Sequence, residues 1–159
     1  MSLLLGLEYC KLDNNGRFKF PIDMKRQLPG EDYRFVIRQS IDAECLELWT
    51  YASFDAEIKF LKRELNRYST EDRVLLRILT AGKVVDLDSN DRIVIPNELR
   101  APLKNSKDIV LQSTGDYIEI WDYDSYCRIN ENNSSYASKI DERLGKVRRI
   151  DDNPTPTLS

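Results

Sequence analysis

Apolar positions along this chain change period several times, and they do so in the same order twice. Phe18 and Phe20 flank Lys19, and Ile93 and Ile95 flank Val94, the two-residue spacing of a strand. Pro21 and Pro96 follow at once. A proline stops a strand and its fixed φ suits the first turn of a helix. Met24 with Leu28, and Leu99 with Leu103, then fall at helical spacing. Before each pair, Tyr9–Leu12 and Lys83–Leu87 read as strands that run into turns rich in Asn, Asp, Ser and Gly. After each pair comes a hairpin, Arg34–Arg38 with Leu46–Trp49 and Ile109–Gln112 with Tyr117–Trp121, the second turning at Thr114-Gly115-Asp116.

Between the two halves the period becomes helical. Phe54, Ile58, Leu61, Leu65 and Tyr68 recur every three or four residues, with Ser53 as the expected N-cap. Ser69 or Thr70 is placed to cap a second helix that carries Val74, Leu75, Ile78 and Leu79 and ends at Gly82. Ser134–Val147 predicts a short helix through Ile140, Leu144 and Val147. The chain from Asp151, with Pro154 and Pro156, is expected to be disordered.

Comparing the chain with itself explains the recurrence. Leu12-Asp13-Asn14-Asn15-Gly16-Arg17-Phe18-Lys19-Phe20-Pro21 aligns with Leu87-Asp88-Ser89-Asn90-Asp91-Arg92-Ile93-Val94-Ile95-Pro96, an offset of 75 residues. Cys45-Leu46-Glu47-Leu48-Trp49 aligns with Tyr117-Ile118-Glu119-Ile120-Trp121. The expected divisions are a first repeat over 4–52, a helical linker over 53–80, a second repeat over 81–128 and a tail over 129–159. One repeat has too little apolar surface to stand alone, and its unpaired edges require a partner. The expected class is therefore mainly β with short helices (α+β), two tandem repeats interleaving into one pseudo-twofold β-barrel.

Composition narrows the chemistry. The chain carries no histidine, which removes the commonest general base and metal ligand. Cys10, Cys45 and Cys127 form no CxxC pair and read as reduced thiols. No Gly-rich phosphate loop, metal cluster or nucleophile–base pair occurs, so neither an enzyme nor a cofactor is expected. No apolar run is long enough to span a membrane, and Met1–Leu7 lacks the basic flank of a secretory leader and reads as a first strand. The net charge of −3 argues against a general basic coat, so any nucleic-acid contact must be local.

The matched Asp-x-x-x-Arg turns supply such a locus. An aspartate at a turn start accepts backbone N–H bonds, and it can orient its arginine as an ion pair. The guanidinium fork suits phosphate oxygens or a guanine edge. Around the first turn Lys11, Arg17, Lys19, Lys25 and Arg26 face only Asp13 and Asp23. Around the second, Arg92, Arg100 and Lys104 sit among Asp86, Asp88, Asp91 and Glu98, a poorer setting for phosphate. A lone pair of this kind would be read as turn stabilisation; its duplication in register favours function. Trp49 and Trp121 read as core or interface residues, and the matched Glu47 and Glu119 as solvent-facing.

The paired turns leading to Pro21 and Pro96, together with Arg100 and Ile118-Glu119-Ile120-Trp121, resemble the MraZ family of bacterial transcriptional regulators over about residues 4 to 128. The resemblance implies a double swapped-hairpin barrel related to the AbrB and SpoVT regulators. It also implies a ring-like homo-oligomer in the cytoplasm and nucleoid, binding double-stranded DNA at direct repeats upstream of the division and cell-wall genes. The positions carried over are Asp13, Arg17, Asp88, Arg92 and Arg100, with Lys25 standing where the first repeat would have the following arginine. With Lys19 and Arg26 from the basic surround, these form the expected DNA-contacting set. Asp91 stands where the family pattern has glycine and sets a negative charge beside Arg92. The competing expectation is an oligomeric protein-interaction module that has lost DNA binding.

Overall fold

The computed structural model describes residues 4–152. The described residues fall into two compact units that divide between Tyr123 and Asp124. The first holds eight strands: β1 Leu7–Lys11, β2 Arg17–Lys19, β3 Arg34–Gln39, β4 Leu46–Thr50, β5 Lys83–Asp86, β6 Arg92–Val94, β7 Asp108–Ser113 and β8 Ile118–Asp122. Helices α1 (Ile22–Lys25), α2 (Tyr51–Glu64) and α3 (Thr70–Leu79) belong to it as well. Two 3₁₀ turns, Asn97–Leu99 and Ala101–Leu103, follow β6 where α1 follows β2. The second unit is helical: α4 (Tyr123–Asn133, starting at the junction), a 3₁₀ turn and α5 (Ala137–Asp152). Met1–Leu3 of the expected first strand, and the tail beyond residue 152, lie outside the described residues; Asp151 and Asp152 are helical rather than irregular.

The expected mainly β barrel is corrected. The strands form two separate sheets, one of six strands in the order β1-β7-β8-β4-β3-β5 and one of two, β2-β6. Both are open, and helical residues outnumber strand residues, so the class is mixed α/β. The reason lies in strand length. Pro21 and Pro96 hold β2 and β6 to three residues each, and a proline cannot continue a ladder. These strands pair with each other and leave β1 and β5 as the outer strands of the larger sheet.

The strand order nevertheless reads the same from either end once each strand is exchanged for its counterpart in the other repeat. β1 pairs with β7, and β5 with β3, so each repeat's first strand joins the other repeat's hairpin. β4 and β8 meet at the centre with Glu47 opposite Glu119. Alternation places Phe35, Ile37, Leu46, Leu48, Ile109, Leu111, Ile118 and Ile120 in one core with Phe18, Phe20, Met24, Ile93 and Ile95. Full burial of each such side chain favours folding by about 1.5–3 kcal/mol.

Two details of the linker differ from expectation. Thr50, not Ser53, caps α2, its side chain accepting from the Ser53 N–H. Starting the helix at Tyr51 sets Phe54 edge-on against Trp49, with ring centres 5.8 Å apart. Ser69 caps α3, which ends at Leu79, and Thr80 rather than Gly82 is its C-cap. Gly82 serves strand packing instead. An added Cβ there would lie 2.8 Å from the Ile37 carbonyl oxygen, so its lack of a side chain lets the entry to β5 approach β3.

Glu47 is also corrected. Alternation does point it away from the apolar core, but α2 covers that face of the sheet, and Glu47 is 5% exposed. It accepts from Arg38 Nε at 2.9 Å and from Trp49 Nε1 at 3.0 Å. Arg38 Nη1 donates in turn to the Leu79 carbonyl at 2.6 Å, tying the hairpin to the end of α3. Glu119 is only half-buried and accepts from Trp121 Nε1 at 3.2 Å. Both tryptophans are buried.

Candidate nucleic-acid interface

The two turns share one backbone solution. Asp13 Oδ1 accepts from the Asn15 and Arg17 N–H groups at 2.8 and 2.9 Å. Asp88 Oδ1 accepts from Asn90 and Arg92 at 2.8 and 2.9 Å. The fourth residue takes left-handed backbone in both, Gly16 at φ 77° and Asp91 at φ 60°. Glycine enters this region freely, and aspartate is among the few side chains that tolerate it. Backbone bonds then cross between the repeats: Ile95 N–H donates to the Gly16 carbonyl at 2.8 Å and Phe20 N–H to the Asp91 carbonyl at 2.7 Å. The turns and their strands therefore form one rigid ribbon.

Register decides which side chains share a face. Arg17 lies opposite Val94, Phe18 opposite Ile93, and Lys19 opposite Arg92. Phe18 and Ile93 are buried, so the outer face carries Arg17, Lys19, Arg92 and Val94. Three cations are thus gathered on a surface three residues long.

The carboxylates act differently from the expected pairing within each turn. Each aspartate holds its own arginine through the backbone N–H. The ion pair crosses over, with Arg92 Nη1 3.9 Å from Asp13 Oδ2. The Asp13 carboxyl is held below its usual range, first by the Arg17 N–H and further by that of Asn15 and the charges of Arg92 and Arg17. Asp88 is lowered in the same way, first by the Arg92 N–H, with the charge of Arg17 also contributing. Both stay ionised at neutral pH and so keep the turn's shape.

Lys25 and Arg100 occupy matched positions and also cross between repeats. Arg100 donates through Nε to the Ile95 carbonyl at 2.8 Å and through Nη2 to the Asn15 carbonyl at 2.9 Å, lying directly on Gly16. Lys25 Nζ bonds Asp91 Oδ1 at 2.7 Å, a half-buried pair, and this bond raises the lysine's pKa. The substitution of aspartate for glycine at position 91 is thus answered by an ammonium. Lys25 and Arg100 brace the opposite turn. Arg26 caps α1 in solvent, 3.9 Å from Asp23. Of the expected set, the structure brings Asp13, Arg17, Lys19, Asp88 and Arg92 onto the ribbon, sets Lys25 and Arg100 against it, and leaves Arg26 beside Asp23. Sequence reading missed Val94 on the exposed face, although its 75-residue offset from Lys19 marks it.

Comparison with known proteins matches this duplicated architecture to one family. The chain is 33% identical over 150 residues to the transcriptional regulator MraZ of Flavobacterium psychrophilum, covering 92% of this chain and 95% of that protein. It is 35% identical over 148 residues to the protein of the same name from Christiangramia forsetii, covering 91% and 95%. The chain belongs to the MraZ family. A family model described as "MraZ protein, putative antitoxin-like" also matches residues 78–148, from the end of α3 into α5. A further MraZ relative, from Mycobacterium bovis, is 33% identical over 149 residues, covering 91% of this chain and 99% of that protein.

Proposed function

We propose that this MraZ-family chain is a sequence-specific DNA-binding transcriptional regulator acting on the division and cell-wall gene cluster, and not an enzyme. The observation that carries the reading is the placement of Arg17, Lys19 and Arg92 on one outer face of a ribbon whose shape two aspartates fix. A two-stranded ribbon fits the B-DNA major groove, and guanidinium forks suit phosphates or guanine edges. The relatives' shared name, transcriptional regulator, supports the same reading. Lys25 pairs with Asp91, so that this acid does not stand unanswered beside Arg92.

In this reading Arg17, Lys19 and Arg92 on the ribbon contact DNA, and Arg26, exposed at the end of α1, is a separate cation outside that set. Asp13, Asp88, Lys25 and Arg100 hold that set in position. The two repeats, 4–52 and 81–128, each supply half of the ribbon, the linker 53–80 joins them, and 129–159 forms the tail. The protein works in the cytoplasm at the nucleoid as a ring-like homo-oligomer, and repetition of the ribbon offsets the net charge of −3 by avidity. Among the described residues no helix is long and apolar enough to cross a membrane.

The test is retention of promoter duplexes bearing upstream direct repeats, measured across salt. Affinity should fall steeply as salt rises. Arg17→Ala should weaken it strongly and Arg92→Ala less, each lowering the salt slope by about 1 if it removes one phosphate contact. Intact, folded protein that retains no such duplex would end the reading.

A further inference from the structure

The outer face of the ribbon is not symmetric. Repetition places Arg92 where Arg17 stands, but Val94 where Lys19 stands. The antiparallel register makes the two ends of the face unlike, one carrying Lys19 opposite Arg92 and the other Arg17 opposite Val94. The surroundings are closely matched: both turns have the same aspartate bonds, both fourth residues are left-handed, and both carbonyls there accept from the other repeat. On the ribbon's outer face the difference comes down to one side chain. A lone exposed valine needs no explanation on an ordinary surface. Val94 is 37% exposed on the one face that is otherwise cationic, at the counterpart of a lysine.

This asymmetry bears on orientation. The two backbones of B-DNA run antiparallel, so a ribbon with true twofold symmetry would dock equally well with the duplex turned end for end. A ribbon with one apolar position would not. In the major groove the apolar group on offer is the 5-methyl of thymine; the other base-edge groups read there are hydrogen-bond donors or acceptors. We propose that Val94 is a specificity-determining residue: its end of the ribbon packs on a thymine methyl, while Lys19 and Arg92 at the other end take acceptor atoms. Val94 is thereby the residue that sets the single orientation which direct repeats require. This rests on the ribbon being the DNA-contacting surface.

The test starts from a pool of random duplexes enriched on the full chain, with each thymine of the enriched element then replaced by uracil, which lacks the methyl. Wild type should enrich a non-palindromic element and lose about fourfold in affinity at one such replacement, the value of burying a single methyl-sized group. Val94→Ala should be indifferent to that replacement. Val94→Lys, which copies the residue accommodated at position 19, should lose the preference for orientation and bind with a salt slope steeper by about 1. A wild type indifferent to every uracil while Arg17→Ala still abolishes binding would overturn the role of Val94 alone; a palindromic element would overturn it together with the direct repeats. If wild type enriches no duplex, the DNA reading falls and this inference falls with it.

Discussion

Arg92 and Asp13 belong to different repeats, yet their side chains approach to 3.9 Å, while each turn's own aspartate and arginine meet through a backbone N–H. The aspartate's main work is therefore in the backbone, and its charge is secondary. Asp13→Ala should remove two accepted N–H bonds and lower stability. Asp13→Asn keeps an acceptor oxygen and should recover most of that loss. Urea unfolding of the two variants separates the contributions. Equal destabilisation by Ala and Asn would mean that the charge facing Arg92 matters more than the geometry.

Lys25 and Asp91 make a second link between the repeats, and a double-mutant cycle should find them coupled. Lys25→Ala leaves a half-buried carboxylate unanswered. Asp91→Gly, which restores the residue of the other turn, should offset much of that cost. The expected coupling is small but favourable, because solvent screens a pair that is not fully buried. Additive losses in urea midpoints would show the contact to be inert.

What could be read from the sequence follows from what repetition does and does not specify. The 75-residue offset picked out both turns, and the alternation around Lys19 and Val94 gave β2 and β6 their inward residues. Which strand edges meet was not legible, because pairing is a long-range choice. Three-residue strands ending at prolines sufficed for a ribbon but not for a barrel wall. Lys25 and Arg100 were identified as matched cations, but nothing local says that each reaches the opposite turn. Glu47 was misread because alternation tells which way a side chain points and not what covers it.

That cover gives Glu47 a large predicted effect. Arg38 and Glu47 are 5% exposed each, and the guanidinium also lies 5.5 Å from the Trp49 ring centre and 5.4 Å from that of Phe54. Glu47→Ala would strand the Arg38 charge inside, at a cost of about 3–5 kcal/mol. The double replacement Arg38→Met with Glu47→Leu, which removes both charges, should lose far less. Thermal unfolding of both variants tests this, and a mild effect of Glu47→Ala would place water or another group within reach of Arg38.

Glu119 is the matched residue without such an arginine, since its hairpin neighbour in register is Gln112. Its pKa is raised, first by burial and then by the facing charges of Glu47 and Asp42, against the lowering bond from Trp121. A carboxyl whose folded value lies above its unfolded one binds its proton more tightly when folded. Its contribution to stability is fully present below the unfolded value, about 4.3, and is lost as pH rises through the folded value. Glu119→Gln keeps an acceptor for Trp121 and removes the charge. It should therefore raise the urea midpoint at pH 7 and converge on wild type below about pH 4. Asp13, whose pKa is lowered, carries the opposite sign, so Asp13→Asn should cost more at pH 7 than at low pH. Parallel pH profiles for wild type and Glu119→Gln would mean that the carboxylate is already neutralised at the centre of the sheet.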